Sequence, residues 1–286
     1  MACGDLIRSS VLDCTNILQG GVGGDSRLVL ILKKDIDAYT ADGNDIVTAI
    51  TLAAGKSGYS FDGIRQSLKP KFEIAKNENG QTVYKHVAEF FYFEYNQIAK
   101  NNLRQMGNGR YVAIYENSKQ DIDAFEILGL DVGLEVTEGG RAPQENGGAM
   151  RIMLSSPEKE FEVKPPRTLA GATYVATKAL VDGYLFLPTI GAGGLSITTY
   201  PAITPTAITI TGTNFFGGGV NNGVLKVQIV NNDTGSVINV LTALTVTATT
   251  IACSLPATGE GAGKSYKVRV TTIKGVVLSS QNVITT

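Results

Sequence analysis

The chain has 286 residues, room for about two domains; 43% hydrophobic and 18% charged residues describe a globular protein with a sizeable core, which excludes disorder as its main state. A net charge of −1 excludes the basic footprint of a protein that grips nucleic acid directly. One histidine and no tryptophan disfavour an enzyme, and no catalytic, cofactor-binding or metal site is expected.

The opening Met-Ala-Cys-Gly-Asp-Leu-Ile-Arg has no basic stretch before an apolar run, so no export signal is expected. Leu28–Leu32 and Phe90–Phe93 are too short to span a bilayer. Cys3, Cys14 and Cys253 are odd in number and lack metal-type spacing, which points to reduced thiols in a cytoplasmic setting. Nothing flanking Cys14 lowers its pKa, so an inert thiol is expected there.

Three glycine-rich stretches, Gly21–Ser26, Ile50–Ser57 and Thr258–Ser265, fail the phosphate-loop or dinucleotide patterns and read as turns. Asp35, Asp37, Asp42 and Asp45 lack the Gly and distant Glu of a calcium loop and read as a solvated acidic loop. Lys71–Ala75 and Thr82–Phe93 flank Asn79-Gly80, a strong hairpin signal. Phe90, Phe91, Tyr92, Phe93 and Tyr95 make that strand apolar on both faces, so both faces should be covered. His86, on the same strand, has no nucleophile motif nearby and is expected to be structural. Asn96 caps a short helix, Gln97–Met106, with Ala99, Leu103 and Met106 on one face and Gly107-Asn108-Gly109 as its stop. Arg110–Glu116, Phe125–Leu130, Leu134–Thr137 and Met150–Ser155 read as further strands. Asp121, Asp123 and Glu126 read as a solvated turn. The polar, glycine-rich segment Glu138–Gly148 is longer than an ordinary hairpin loop and is a candidate contact arm. This N-terminal part is mostly sheet with one helix.

Charge is unevenly divided along the chain: residues 1–189 carry 20 Lys+Arg and 24 Asp+Glu, residues 190–286 only 5 and 2. The shift places a boundary near Thr189–Tyr200, with 190–199 as a Gly-rich linker. Beyond it, Thr206–Gly212, Leu225–Val230, Ser236–Leu241, Leu244–Ala252, Tyr266–Thr272 and Val276–Ile284 read as strands, with Asn231–Gly235 as a hairpin turn. So many strands in under 100 residues predict an immunoglobulin-like β-sandwich over 200–286, without a Cys…Trp…Cys core.

Tyr-Pro-Ala-Ile-Thr-Pro-Thr (200–206), leading into Ile-Thr-Ile-Thr-Gly-Thr-Asn-Phe (208–215), resembles the opening of IPT/TIG immunoglobulin-like domains. The order of elements over roughly 1–185 resembles the major tail tube proteins of tailed bacteriophages, notably Phe90–Tyr95, the helix through Met106, Arg110–Glu116 and Phe125–Glu138. That resemblance implies a mainly β fold: a tail-tube-type β-sandwich/barrel domain with one short helix, spanning 1–189, followed by the immunoglobulin-like sandwich.

It also implies a structural virion protein, assembled in the host cytoplasm, whose hexameric rings join their sheets into an inner barrel and stack into a tube. DNA passes through the lumen without specific binding; the −4 of the N-terminal part (20 minus 24) should repel it. Tape measure, terminator and baseplate proteins are the implied partners, and the outer domain is a spacer or a weak binder of cell-surface glycans. Met1–Arg27 and Glu138–Gly148 become the stacking elements, with Arg8, Arg27, Glu138, Arg141, Gln144, Glu145 and Asn146 as contact candidates. A surface adhesin or carbohydrate-binding protein, and a phage capsid decoration or neck protein, are the competing expectations.

Overall fold

A computed structural model of the chain describes residues 26–63, 67–93, 96–116, 122–141, 148–216, 224–240, 245–272 and 274–286. The chain divides into two compact units, Met1–Leu185 and Phe186–Thr286.

The first unit contains strands β1 (Ser26–Leu32), β2 (Ile36–Ala41), β3 (Val47–Leu52), β4 (Tyr59–Gly63), β5 (Leu68–Lys76), β6 (Thr82–Tyr92), β7 (Tyr111–Glu116), β8 (Phe125–Leu128), β9 (Glu135–Arg141), β10 (Met150–Ser155) and β11 (Arg167–Thr168). Helices α1 (Gln97–Met106) and α2 (Tyr174–Gly183) complete it. A five-stranded sheet runs β11-β8-β7-β1-β4 and a four-stranded sheet runs β5-β6-β10-β9, with β2 and β3 paired as a separate hairpin.

The two larger sheets enclose one core. Leu28, Leu30 and Leu32 of β1, Phe61 of β4 and Ala113 of β7 meet Phe90 and Tyr92 of β6 and Ile152 and Leu154 of β10. Phe61 packs against both aromatic rings, with centroids 5.1 Å from Phe90 and 5.5 Å from Tyr92. Strand periodicity explains the arrangement, because alternate residues point to one face. The other residues of β1, Val29 and Ile31, are buried too. A Cβ on Gly58 would stand 3.1 Å from the Cγ1 carbons of both, and the Gly58 amide donates to the Tyr184 carbonyl at the end of α2. The run Leu28–Leu32 is therefore a strand covered on both sides.

Several sequence expectations hold. Asn96 accepts a hydrogen bond from the Ala99 amide at 2.9 Å and starts α1, which buries Ala99 and Met106 in the core. The hairpin between β5 and β6 turns at Asn77–Gly80, where the Asn77 side chain accepts from the amides of Asn79 and Gln81 and Gly80 has φ +75°.

Other expectations need correction. A second helix, α2, is present; its buried residues are Thr177 and Val181, so a threonine interrupts the apolar stripe that would have marked it. Thr177 is accommodated because its hydroxyl accepts from the Gly171 amide and donates to the Thr173 carbonyl. The acidic segment 35–45 is the start of the β2–β3 hairpin rather than a loop, and Asp42 shapes its turn by accepting from the amides of Asn44 and Ile46. The aromatic run is covered on one face only: Phe90 and Tyr92 enter the core, whereas Phe91 is half-buried under the ammonium of Lys69, 5.5 Å from its ring centre. Tyr95 lies outside the described residues.

The second unit contains β12 (Thr189–Leu195), β13 (Thr199–Tyr200), β14 (Thr206–Thr213), β15 (Val224–Asn231), β16 (Val237–Asn239), β17 (Thr245–Val246), β18 (Thr250–Leu255), β19 (Ser265–Thr272) and β20 (Val276–Thr285). A four-stranded sheet, β12-β14-β18-β17, packs on a five-stranded one, β13-β20-β19-β15-β16, around Ile208, Ile210, Phe215, Val227, Ile229, Tyr266, Val268 and Val270.

The glycine-rich stretch read as a linker is part of this sandwich, since β12 pairs with β14. Its glycines serve close approach: a Cβ on Gly194 would stand 2.5 Å from the Thr211 carbonyl oxygen, and one on Gly212 would overlap the Thr189 carbonyl. The segment read as one strand, Leu244–Ala252, is broken at Thr247, whose hydroxyl accepts from the amides of Thr249 and Thr250. Thr258–Ser265 leads into β19, so no helix N-terminus follows it as a phosphate loop requires.

Among the described residues, no helix is long and apolar enough to cross a membrane. Phe90→Ala should destabilise the first unit by about 3–5 kcal/mol, the cost of an unfilled aromatic cavity. Ile203→Ala, at a side chain that is 80% exposed, should change stability by less than about 0.5 kcal/mol. Urea denaturation of the two variants checks both.

Candidate assembly surface

The four-stranded sheet β5-β6-β10-β9 turns one face to the core and carries charge on the other. On β6, Ala88, Phe90 and Tyr92 point inward, so Glu89 and Phe91 point outward. The Glu89 carboxylate is 5% exposed and is held by three cations: Arg151 of β10 at 2.9 Å, Lys71 of β5 at 3.3 Å and Lys69 of β5 at 3.7 Å. Arg151 then reaches across β10 to Glu138 of β9 at 3.2 Å. The Arg151 hydrogen bond, joined by that from Lys71, holds the Glu89 carboxyl below the usual carboxylate range despite its burial. A carboxylate so placed would be costly without these partners. The result is an ionic ladder whose sign alternates strand by strand, Lys on β5, Glu on β6, Arg on β10 and Glu on β9.

Of the residues singled out in the sequence, Glu138 and Arg141 lie on β9, at the edge of this sheet. Both belong to the strand, because β9 continues to Arg141 and pairs with Met150–Met153. Residues 138–141 of the candidate arm Glu138–Gly148 are therefore strand, and 142–147 lie outside the described residues. The Arg141 side chain donates to the Gly148 carbonyl at 2.8 Å.

Arg27 sits at the start of β1 and is engaged within its own chain. It donates to Asp182 of α2 at 2.6 Å and lies 3.4 Å from Glu116 of β7, which also accepts from the Tyr174 hydroxyl at 2.5 Å. It ties α2 to the five-stranded sheet. Arg8, Gln144, Glu145 and Asn146 lie outside the described residues, as do Cys3 and Cys14.

A second polar cluster surrounds the turn at Gly129–Gly133, and sequence reasoning missed it because its members are scattered along the chain. Glu162, 1% exposed, accepts from the amides of Asp131 and Val132 at 2.8 and 3.0 Å. Burial pushes its carboxyl above the ordinary range, with the two amides opposing. Asp131 accepts two hydrogen bonds from Arg167, at 2.7 and 2.9 Å, and Arg167 also donates to the Tyr39 hydroxyl at 2.8 Å. His86, 2% exposed, accepts from the Gly129 amide through Nδ1 at 3.1 Å, which fixes the neutral tautomer with its proton on Nε2. Burial lowers its pKa to about 4, with the backbone of Lys164 only partly opposing. Every member bonds to backbone or to an opposite charge, which is the pattern of a structural brace.

In the second unit, Cys253 is buried and its thiol is pushed up to about 11 by burial, so it is an inert core residue. The outward residues of β14, Ala207, Thr209, Thr211 and Thr213, carry no charge and are exposed or nearly so. Among the described residues, no group of three or more His, Cys, Asp or Glu could hold a metal ion.

Residues 194–285 match the IPT/TIG domain family. The second unit is accordingly an immunoglobulin-like IPT/TIG sandwich, and its matched region begins within β12. The comparison with curated proteins gives no match. Among solved structures, the full extracellular region of plexin A4 resembles the chain at 14% identity and a TM-score of 0.28, over 77% of this chain and 18% of that one. The chain thus spans less than a fifth of that molecule.

The buried His86 makes stability depend on pH. Its folded pKa of about 4 lies below the ordinary 6.5, so the unfolded chain takes up the proton first as pH falls. The stability present above pH 6.5 should fall by on the order of 3 kcal/mol between pH 6.5 and 4. His86→Asn keeps an acceptor for the Gly129 amide and should remove this slope. Glu162 acts in the opposite sense and is common to both proteins. Urea midpoints at several pH values check the difference between them.

Proposed function

We propose that the chain is a structural subunit that assembles with copies of itself into stacked rings, forming the tail tube of a tailed bacteriophage, with the IPT/TIG domain as an outward decoration. The observation that carries this reading is the sheet β5-β6-β10-β9, charged on one face, whose outer strands β5 and β9 have no strand partner among the described residues. Open edges of this kind are a liability in a monomer, and closing the sheet into a ring removes them. The order of elements that resembles the tail tube family runs through the same strands. A head-to-tail repeat of rings then extends without limit, as a tube requires.

The alternating signs on the sheet's outer face suit a lumen wall better than a uniformly basic surface would, because passing DNA meets no continuous positive stripe to hold it. Residues 142–147, between Arg141 at the end of β9 and Gly148, are the part of this reading assigned to stacking between rings. The uncharged, threonine-rich face of the second unit fits a spacer, or weak contact with neutral glycans. In this reading the tape measure, terminator and baseplate proteins are partners, and the assembled virion is the location.

Negative-stain electron microscopy of the purified chain should show rings or hollow tubes with outward knobs; a monomer at high concentration would count against the reading. Replacing Gln144, Glu145 and Asn146 together by alanine should leave rings intact and shorten or abolish tubes. Tubes of unchanged length would remove that loop from the stacking contact.

A further inference from the structure

The second unit gathers its charge on one face of one sheet. Residues 190–286 hold only 5 Lys+Arg and 2 Asp+Glu, and β14 turns an uncharged face outward. In the five-stranded sheet, Val227 and Ile229 of β15 and Tyr266, Val268 and Val270 of β19 enter the core. Lys226 and Gln228 of β15, with Lys267 and Arg269 of β19, therefore point outward. Lys226 pairs with Thr271, Gln228 with Arg269 and Val230 with Lys267, so three successive rows of this face each hold one cation. Their neighbours on β20 and β16, namely Leu278, Asn282, Val237 and Asn239, are uncharged. Of the two carboxylates, Glu260 accepts from Asn231 and from the Tyr266 hydroxyl, and Asp233 lies in the turn after β15.

Arg269 is positioned by its own sheet. Its Nε and Nη2 donate to the Gln228 side-chain oxygen at 2.8 and 2.6 Å, and Gln228, 6% exposed, donates on to Asn239 at 2.6 Å. Nη1 has no partner among the described residues, and neither has the Lys267 ammonium. A face with positive charge in each row and no carboxylate beside it draws anions to itself.

Area and pitch select the anion. Four strands about 4.8 Å apart and three rows about 6.8 Å apart cover roughly 300 Å², well below the ~800 Å² per partner of a stable protein interface. A slender polymer fits this face; a folded protein does not. The row pitch of about 6.8 Å is the length of two residues, or six backbone bonds. A phosphodiester chain linked through three carbons also repeats every six bonds, so when extended it carries one negative charge at about that pitch. Its phosphates keep step with the cation rows when it lies along β15 and β19. The exposed amides of Asn239 and Asn282 flank that track and suit hydroxyl groups. Among the described residues the face has no aromatic ring for a base to stack on, which favours a polyol chain over a single-stranded nucleic acid of the same backbone pitch.

We propose that this face of the IPT/TIG domain binds a polyol-phosphate polymer, an extended chain of three-carbon polyol units joined by phosphodiesters, with Lys226, Arg269 and Lys267 each meeting one phosphate. Arg269 donates through Nη1 to the middle phosphate, and Asn239 and Asn282 meet the polyol hydroxyls. The inference concerns the second unit by itself and holds whether or not the chain forms tubes.

Fluorescence anisotropy of labelled poly(glycerol phosphate), titrated with the full-length chain, tests it. Three phosphate contacts predict a slope of about −2 for log K against log salt, and hence roughly twentyfold weaker binding at 200 than at 50 mM salt. Lys267→Gln removes a charge with no partner to lose; it should weaken binding about threefold or more and reduce the slope to about −1.4. The triple variant Lys226→Gln/Lys267→Gln/Arg269→Gln should abolish binding, with far-ultraviolet circular dichroism to check that it is folded. Thr209→Glu, on the outward face of the other sheet, should leave affinity within about twofold. Neutral dextran should not bind, and polyglutamate and oligothymidylate should bind about fivefold more weakly or less. No binding of poly(glycerol phosphate), or binding unchanged by Lys267→Gln or surviving in the triple variant, would overturn the proposal. Polyglutamate or oligothymidylate binding as tightly would also overturn it, by making the face a site for acidic polypeptide or for nucleic acid.

Discussion

The first unit is organised by a strand that is apolar on both faces. Leu28–Leu32 has no polar side chain, so water must be removed from both sides of it, at roughly 1.5–3 kcal/mol of stabilisation for each large side chain buried. On one side, the aromatic residues of β6 and the aliphatic residues of β10 cover it and make the sandwich. On the other, the end of α2 approaches through Gly58, and the Arg27–Asp182 pair holds that helix in place. Everything else in the unit follows from that central position: β7 and β4 flank β1, and the second sheet is needed as its cover.

That second sheet has only one face to give to the core. Its other face must meet water or another molecule, and the sequence places charge there. A carboxylate as deeply set as Glu89 is tolerable only because two lysines and an arginine surround it, so the ladder stiffens the sheet in one register. The same ladder leaves its ends unequal, cationic on β5 and anionic on β9.

The second unit shows a different economy. With few charges to place, it relies on alternation of Thr and aliphatic residues along β14, on side-chain caps such as Asn231 at the β15–β16 turn, and on glycines where backbones touch. Gly194 and Gly212 lie where β12 and β14 approach too closely for a Cβ. Their role is in packing, although by composition the region reads as a flexible connection.

Much was legible from local sequence. The alternation along β14, β19 and β20, the Asn-Gly hairpin at 79–80, the Asn96 cap of α1 and the resemblance of residues 200–215 to an IPT/TIG domain are signals a few residues long, because strand periodicity, turn chemistry and caps act over that range. Three features were decided only by tertiary structure. Helix α2 hides because its buried stripe includes Thr177, satisfied by Gly171 and Thr173 in the folded chain. Arg27 became a brace because Asp182, distant in sequence, lies beside it. The ladder through Lys69, Lys71, Glu89, Arg151 and Glu138 exists only once four strands are in register, since salt bridges depend on distance in space and residues up to 82 positions apart supply them. Sequence by itself determined the strands, turns and caps that local signals mark and the character of each half; the elements without such a signal, and the pairing of strands into sheets, were decided by the fold, because they depend on contacts between residues distant in sequence.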